Sequence, residues 1–276
     1  SFPYEIVLID QNSIGYLDEA LNNYRNKLPI KHHVVKFKGL SKAKNYGVKA
    51  SCGSFICFPD DDCKIFPDTF LNAFSLIEKE NADLVLIGPG LGENSRAEQL
   101  LDFVLEHLSD QQILVLDGSA LTLVAKQNRK NFPCKQVILT PHQKEWERLS
   151  AIPVADQTSQ KNLEALQSFQ ENTILVAKSS ATQILKAQPN QVTPIGAGGP
   201  YQATGGMGDT LAGMIAGFAV QFPHVQLYER ILVATYLHSY IADQLAQDYY
   251  LVKPTDVSRN IQKTMASISN TNNRLI

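Results

Sequence analysis

Residues 203–214 read Ala-Thr-Gly-Gly-Met-Gly-Asp-Thr-Leu-Ala-Gly-Met, a glycine-rich loop that runs straight into an amphipathic helix. With no Cβ on Gly205, Gly206 or Gly208, backbone N–H groups can converge on an anion, and the helix N-terminus adds partial positive charge. The expected ligand is a phosphate. Asp209 is out of place in a purely binding loop, because a carboxylate repels the phosphate beside it. Two readings account for it: a general base in a loop that transfers protons, or a side chain that caps the helix over a glycine turn.

Outward from this loop, apolar runs of strand length fall at 5–9, 33–37, 54–58, 83–87, 112–116, 136–139 and 173–177. Helix-period stretches separate most of them, at 14–26, 41–50, 67–80, 95–108 and 158–169, and three more helices at 208–221, 226–248 and 255–268 make the last third helical. Alternation of this kind predicts an α/β fold with a three-layer αβα arrangement and a mostly parallel sheet, its ligands bound outside the carboxyl ends of the strands. One domain spanning 1–276 is preferred to two, since 1–75 alone would leave a helix-covered sheet half open. Residues 5–9, 33–37 and 54–58 are accordingly expected in the same sheet as 83–87.

Polar motifs follow the strands. Gly88-Pro89-Gly90-Leu91-Gly92 comes after the run ending at Ile87, either as a tight strand-to-helix turn or as a place where ligand approaches the backbone. Thr140-Pro141-His142 follows 136–139, with Glu145 three residues on; His142 is a helix-starting residue or a ligand contact. Lys178 ends the run 173–177, and Ser179, Ser180, Ala181 and Thr182 lead into a further strand, a plain β-hairpin with a solvated lysine or a set of hydroxyl and N–H groups for a nucleotide. Asp117-Gly118-Ser119 reads as architecture with a minor polar role.

Taken in order, Leu86-Ile87-Gly88-Pro89-Gly90-Leu91-Gly92, Leu139-Thr140-Pro141-His142-Gln143-Lys144-Glu145, Lys178-Ser179-Ser180-Ala181-Thr182 and the 203–214 loop resemble the ADP-dependent NAD(P)H-hydrate dehydratase family of ribokinase-like enzymes. The likeness covers about residues 80–265. It implies that ADP, with Mg²⁺, phosphorylates the hydroxyl of the hydrated nicotinamide ring in NADHX or NADPHX, and that loss of phosphate restores the ring double bond. In that scheme Asp209 is the catalytic base and also touches substrate, and Gly88, Gly90, Gly92 and His142 bind substrate. Lys178, Ser179, Ser180, Ala181 and Thr182, with Gly205, Gly206 and Gly208, hold the nucleotide. No residue is assigned to a protein-held metal. The chain departs from the family pattern at Ser179, where a glycine is usual, and at Ser119, where a second aspartate is usual.

The first seventy or so residues lack the family's opening strand and glycine turn. Glu5-Ile6-Val7-Leu8-Ile9-Asp10, Leu40-Ser41-Lys42-Ala43-Lys44-Asn45-Tyr46-Gly47 and Phe58-Pro59-Asp60-Asp61-Asp62-Cys63 instead resemble the sugar-nucleotide half of a family 2 glycosyltransferase, with a Rossmann-like strand–helix rhythm. There the first aspartate meets the nucleotide and the later cluster holds a divalent cation. The acceptor half of such an enzyme is replaced here, so Asp60, Asp61 and Asp62 are expected to be catalytically idle. The chain reads as a chimera of a 1–75 glycosyltransferase-like segment and a 76–276 dehydratase-like segment, and the abrupt switch near 70–80 favours an engineered join. The alternatives to the dehydratase reading are a family 2 glycosyltransferase using a sugar nucleotide, an inactive engineered chimera, and a small-molecule kinase of the ribokinase superfamily.

Composition agrees with a small-molecule enzyme. A hydrophobic content of 44% over 276 residues supports a sizeable core, and a formal net charge of −2 gives no reason to expect nucleic acid or a membrane surface as partner. No run approaches the roughly eighteen apolar residues of a membrane span, and the start of the chain lacks a signal core, so a cytoplasmic location is expected. Cys52, Cys57, Cys63 and Cys134 lack paired C-x-x-C spacing and read as reduced thiols. The family resemblance implies a possible homo-oligomer.

Overall fold

In the computed structural model, residues 4–53, 82–134 and 136–272 are described; the expected strand at 54–58, the expected helix at 67–80 and Asp60, Asp61 and Asp62 lie outside them. The chain divides into two compact units, Ser1–Asn81 and Ala82–Ile276.

In the first unit, β1 (Ile6–Asp10) pairs in parallel with β2 (Ile30–Val34), Ile6 opposite Ile30 and Asp10 opposite Val34. Strand β2 starts earlier than its apolar run because its polar residues find partners beside β1. Lys31 Nζ lies 2.6 Å from Glu5 Oε2, and His32 Nε2 lies 3.1 Å from Asp10 Oδ2. Helix α1 (Asp18–Asn22) is far shorter than the 14–26 pattern suggests, since only its Leu21 is buried and turns take the flanking residues. Helix α2 (Leu40–Ala50) packs on β1, where Gly47 lies 3.5 Å, measured from a Cβ position, from Ile9 Cγ1. Among the described residues β1 and β2 form a two-stranded sheet, and the strand expected at 54–58, through which residues 5–9 and 33–37 were to share a sheet with 83–87, lies outside the described residues. A rhythm of apolar runs encodes how many strands form; it does not encode which edges they pair.

The second unit is built on a six-stranded sheet in the order β3 (Leu84–Ile87), β4 (Ile113–Leu116), β5 (Gln136–Leu139), β6 (Thr173–Ala177), β7 (Gln183–Lys186) and β8 (Gln191–Pro194). The pairs from β3 to β6 are parallel, and β7 and β8 fold back antiparallel. Register sets Ile87 opposite Leu116, Leu116 opposite Leu139 and Leu139 opposite Leu175, so the carboxyl ends of four strands finish side by side.

Alternation along these strands feeds two cores, as a sheet covered on both faces requires. Leu114, Leu116, Val137, Leu139 and Leu175 point to one side. There they meet α3 (Ser95–His107), α4 (Ser119–Lys126), α5 (Gln143–Ser150) and α6 (Ser159–Leu166). Val115, Ile138, Ile174, Val176 and Ile184 point to the other. That side is covered by α7 (Met207–Gln221), α8 (Leu227–Leu245) and α9 (Pro254–Asn272), the helical last third expected from the sequence. The unit is a three-layer αβα fold with a mostly parallel sheet. Helices α4 and α5 carry no clear apolar period in the sequence and arise as short crossovers.

Candidate active site

The carboxyl edge of the sheet gathers four segments. The backbone N–H of Lys178 donates to the Pro141 carbonyl at 2.9 Å, and His142 and Lys178 form a parallel bridge that adds one rung beyond the ends of β5 and β6. Lys178 then reaches across, its Nζ 2.7 Å from Asp117 Oδ1. Asp117 follows β4, is buried, and also accepts from Thr140 Oγ1 at 2.7 Å. A carboxylate out of water is stable only when paired and hydrogen-bonded, and this one has both.

The ammonium it holds faces the glycine loop. A Cβ on Gly208 would lie 3.3 Å from Lys178 Nζ, so the absence of a side chain is what lets the cation lie against the start of α7. Gly206 takes the left-handed conformation at the N-cap of that helix, with φ of 87°. Gly205 faces open space. No side chain caps the helix through a hydrogen bond. Asp209, in its first turn, is exposed and makes no hydrogen bond or ion pair among the described residues, so the helix-cap reading of Asp209 is corrected. Its carboxylate is unspent.

The loop before the nest is tied down. Tyr201 Oη donates to Asp243 Oδ1 at close range, the Gly198 N–H donates to the same oxygen at 2.8 Å, and Thr204 Oγ1 donates to the Val252 carbonyl at 3.1 Å. Burial first, then the Asp243 carboxylate, pushes the Tyr201 phenol up to about 12, so it remains a donor. Behind the nest, buried His238 on α8 makes a hydrogen bond with the Met207 backbone, and its Nε2 has no partner among the described residues. Burial, with the nearby Lys178 charge acting the same way, pushes its imidazole down to about 4 against the opposing Met207 bond.

Of the glycines after β3, Gly88 is structural: its φ is +130°, and a Cβ there would lie 1.6 Å from the Asp117 carbonyl oxygen. Gly90 and Gly92 face open space. His142 caps α5. Its Nδ1 accepts from the backbone N–H groups of Lys144 and Glu145 at 3.1 and 3.2 Å, while Glu145 Oε2 accepts from the His142 N–H at 2.8 Å. With Nδ1 committed as acceptor, this network assigns the ring proton to Nε2, which lies 3.4 Å from Glu145 Oε1. In the 178–182 hairpin turn, the hydroxyls of Ser179 and Thr182 serve the turn itself, through Ala181 N to Ser179 Oγ at 3.0 Å and Thr182 Oγ1 to the Ser179 carbonyl at 3.1 Å. Ser180 is exposed.

The structure thus links Gly88 to Asp117, Asp117 to Lys178, and Lys178 to both His142 and Gly208. Sequence reasoning missed Asp117 as the anchor of Lys178, a pair 61 residues apart, and missed His238. The available signal was a lone aspartate closing the wholly apolar run Ile113–Leu116. A cavity of about 310 Å³ opens beside this cluster, between α5, α6 and the 178–183 hairpin. Among the described residues no three His, Cys, Asp or Glu side chains come together as a metal cage, and no helix is long and apolar enough to cross a membrane.

Residues 56–263 match the family model described as NAD(P)H-hydrate dehydratase, and residues 1–99 match that of glycosyl transferase family 2. An ADP-dependent (S)-NAD(P)H-hydrate dehydratase of Streptococcus pneumoniae is 50% identical over 203 residues, which are 71% of this chain and 70% of that protein. A crystal structure of a hypothetical protein from Streptococcus mutans is 38% identical with a TM-score of 0.68, covering 96% of this chain and 91% of that one. A ribokinase-like superfamily protein of Enterococcus faecalis is 33% identical with a TM-score of 0.65, covering 95% of this chain and 77% of that one.

Proposed function

Because the chain belongs to the NAD(P)H-hydrate dehydratase family, we propose that it catalyses ADP-dependent dehydration of NADHX and NADPHX, returning the hydrated nicotinamide ring to its reduced form. The observation that carries the assignment of roles is the unspent carboxylate of Asp209, one residue past a glycine that lies against the Lys178 ammonium. A free base beside a cation and a helix N-terminus is suited to phosphoryl transfer, where positioning and charge stabilisation do most of the work.

Asp209 takes the proton of the ring hydroxyl as its oxygen bonds to the terminal phosphorus of ADP and the bond to AMP breaks. Phosphate then leaves the ring carbon while the neighbouring carbon gives up a proton, which restores the double bond. N–H groups around Gly205 and Gly208, together with Lys178, carry the negative charge that develops on the transferred group. Asp117 and Thr140 keep the ammonium aimed at that point. The exposed His142 ring, its Nε2 3.4 Å from Glu145 Oε1, contacts the substrate, and Gly90 and Gly92 leave room for the nicotinamide ring. Ser180 and the N–H groups of the 178–182 turn receive the nucleotide. Were Mg²⁺ to bind with ADP, it would neutralise charge on the diphosphate, and the exposed, unpaired carboxylate of Asp209 at the start of α7 is the acidic side chain that would hold it.

The test is Asp209→Asn. Turnover of NADHX with ADP should fall by about 10²–10⁴-fold. ADP affinity should stay equal or rise slightly, because a charge that repels phosphate has gone. Near-normal turnover in this variant would remove Asp209 from the chemistry.

A further inference from the structure

Helix α8 has no part in the scheme above, yet it reaches the glycine loop from both sides. Before the nest, Asp243 Oδ1 accepts from the Gly198 N–H at 2.8 Å and from the Tyr201 hydroxyl. After it, His238 makes a hydrogen bond with the backbone of Met207, the first residue of α7. Nε2 of that ring has no partner among the described residues, so the bond belongs to Nδ1. Gly205 and Gly206 are therefore strung between two side chains that stand five residues apart on one helix, about 7.5 Å along its axis. Farther along α8, Arg230 Nη1 donates to the Ala219 carbonyl near the other end of α7, so α7 is held against sliding along its neighbour.

Neither side chain is the one that stability alone would select. His238 is 4% exposed with Nε2 unpaired, and a buried polar atom left without a partner costs free energy that an apolar side chain of similar shape would not. The Asp243 carboxylate makes no ion pair among the described residues, and its hydrogen bonds there go to the loop alone. The loop needs such holding. Gly198 and Gly206 have φ of +103° and +87°, and open space surrounds Gly196 and Gly205, so the glycines themselves do not fix its course. On its far side two bonds to Val252 complete the fastening, from the Val252 N–H to the Tyr201 carbonyl at 3.0 Å and from Thr204 Oγ1 to the Val252 carbonyl at 3.1 Å.

We propose that His238 and Asp243 are positioning residues for phosphoryl transfer, an inference that rests on the dehydratase reading: from α8 they set the separation between the loop that enters the nest and the helix turn that leaves it. That separation aims the nest N–H groups and Asp209, which stands two residues past Met207. Both residues act through the backbone they hold. Donors fixed in advance need no reorganisation as charge develops, and misplacement by about 1 Å can cost on the order of a hundredfold in rate. The transition state demands more of the nest than bound ADP does, so loosening it lowers kcat more than it weakens ADP binding. A purely fold-stabilising role predicts the opposite pattern, activity lost only in step with folded protein.

His238→Leu removes one anchor, and His238→Asn returns an amide N–H at the place of Nδ1. Asp243→Ala removes the other, and Asp243→Asn returns an uncharged acceptor. Tyr201→Phe deletes a single hydroxyl and leaves the ring. In the ligand-free protein, amide hydrogen exchange across 198–208 should run about tenfold faster in His238→Leu and Asp243→Ala, consistent with the loss of one hydrogen-bonded anchor in each. Both asparagine variants should stay near the parent rate. The thermal midpoint of His238→Leu should equal or exceed the parent's, since an unpaired buried nitrogen has gone. With NADHX and ADP, kcat should fall about 10–100-fold in His238→Leu and Asp243→Ala, and KM for ADP should move by less than about threefold. Tyr201→Phe should follow the same pattern at smaller size, and the asparagine variants should recover most of kcat. Parent-like exchange or parent-like kcat in His238→Leu and Asp243→Ala overturns the proposal. Asparagine variants no better than Leu and Ala, or activity that falls only in step with unfolding, overturn it in favour of a purely structural role. A parent without turnover on NADHX defeats the dehydratase reading, and the exchange rates alone then decide whether α8 sets the nest.

Discussion

Replacing Gly88 with alanine tests whether the site is held by close approach of two loops. A Cβ at Gly88 would meet the Asp117 carbonyl oxygen at 1.6 Å, its carbonyl carbon at 2.7 Å and Ala120 Cβ at 3.0 Å. Relief requires the 117–118 turn to retreat, and the bond from Asp117 N–H to the Ile87 carbonyl, now 3.2 Å, goes with it. A side chain at φ of +130° adds strain of its own. Overpacking costs about 1–3 kcal/mol or more and left-handed strain about 1–2 kcal/mol, so Gly88→Ala should lose about 3–5 kcal/mol. Gly90 supplies the control. It also has a positive φ, +68°, but a Cβ there meets nothing within 4 Å. Gly90→Ala should therefore cost only about 1 kcal/mol. In thermal unfolding the gap of about 2–4 kcal/mol corresponds to roughly 4–16 °C for a unit of this size. Midpoints for the two variants that agree within about 2 °C would refute the reasoning. A further expectation is that Gly88→Ala weakens ADP binding, since Asp117 is the anchor of Lys178.

Lys178→Met should cost about 3–5 kcal/mol by leaving Asp117 buried with only the Thr140 hydroxyl. The double variant Asp117→Leu with Lys178→Met should regain most of that stability in urea unfolding but none of the ADP affinity measured by calorimetry; equal instability of single and double variants would show that the pair is not the cause. His238 has a folded value of about 4, below its ordinary 6.5, so its contribution is fully present above pH 6.5 and is lost as pH falls through 4. That difference corresponds to about 3 kcal/mol. His238→Asn should accordingly flatten the urea midpoint between pH 7 and pH 4 relative to the parent, and an unchanged slope would count against a neutral buried imidazole.

The parts of this structure legible in the sequence are those with local signals. The largely buried runs Ile113–Leu116, Gln136–Leu139 and Thr173–Ala177 announce central parallel strands, and the 203–208 glycines announce the helix they precede. Helix α4 escaped because Ala120, Leu121, Thr122, Leu123 and Val124 are all buried, which erases the amphipathic period. Helix α5 escaped for the opposite reason. It is eight residues of mostly charged sequence with few apolar positions, and its real signal was the cap formed by His142 and Glu145. That cap also makes His142 both a helix-starter and a candidate ligand contact, two readings that do not compete. The pairing of Lys178 with Asp117 and the burial of His238 behind the nest are products of topology, and no window of sequence contains them.

Strand β8 has a consequence for how the molecule behaves among its own copies. It is four residues long, mostly exposed, and ends in Pro194, which has no N–H to offer a neighbouring chain. Val192 is its only large apolar side chain, and Thr193 Oγ1 is drawn down to Tyr228 Oη at 2.9 Å. A short, polar, proline-ended border is a poor template for another strand. The antiparallel hairpin that shapes the 178–182 turn therefore also caps this side of the sheet, so that crowding or partial unfolding should seed aggregation elsewhere before it does so through β8.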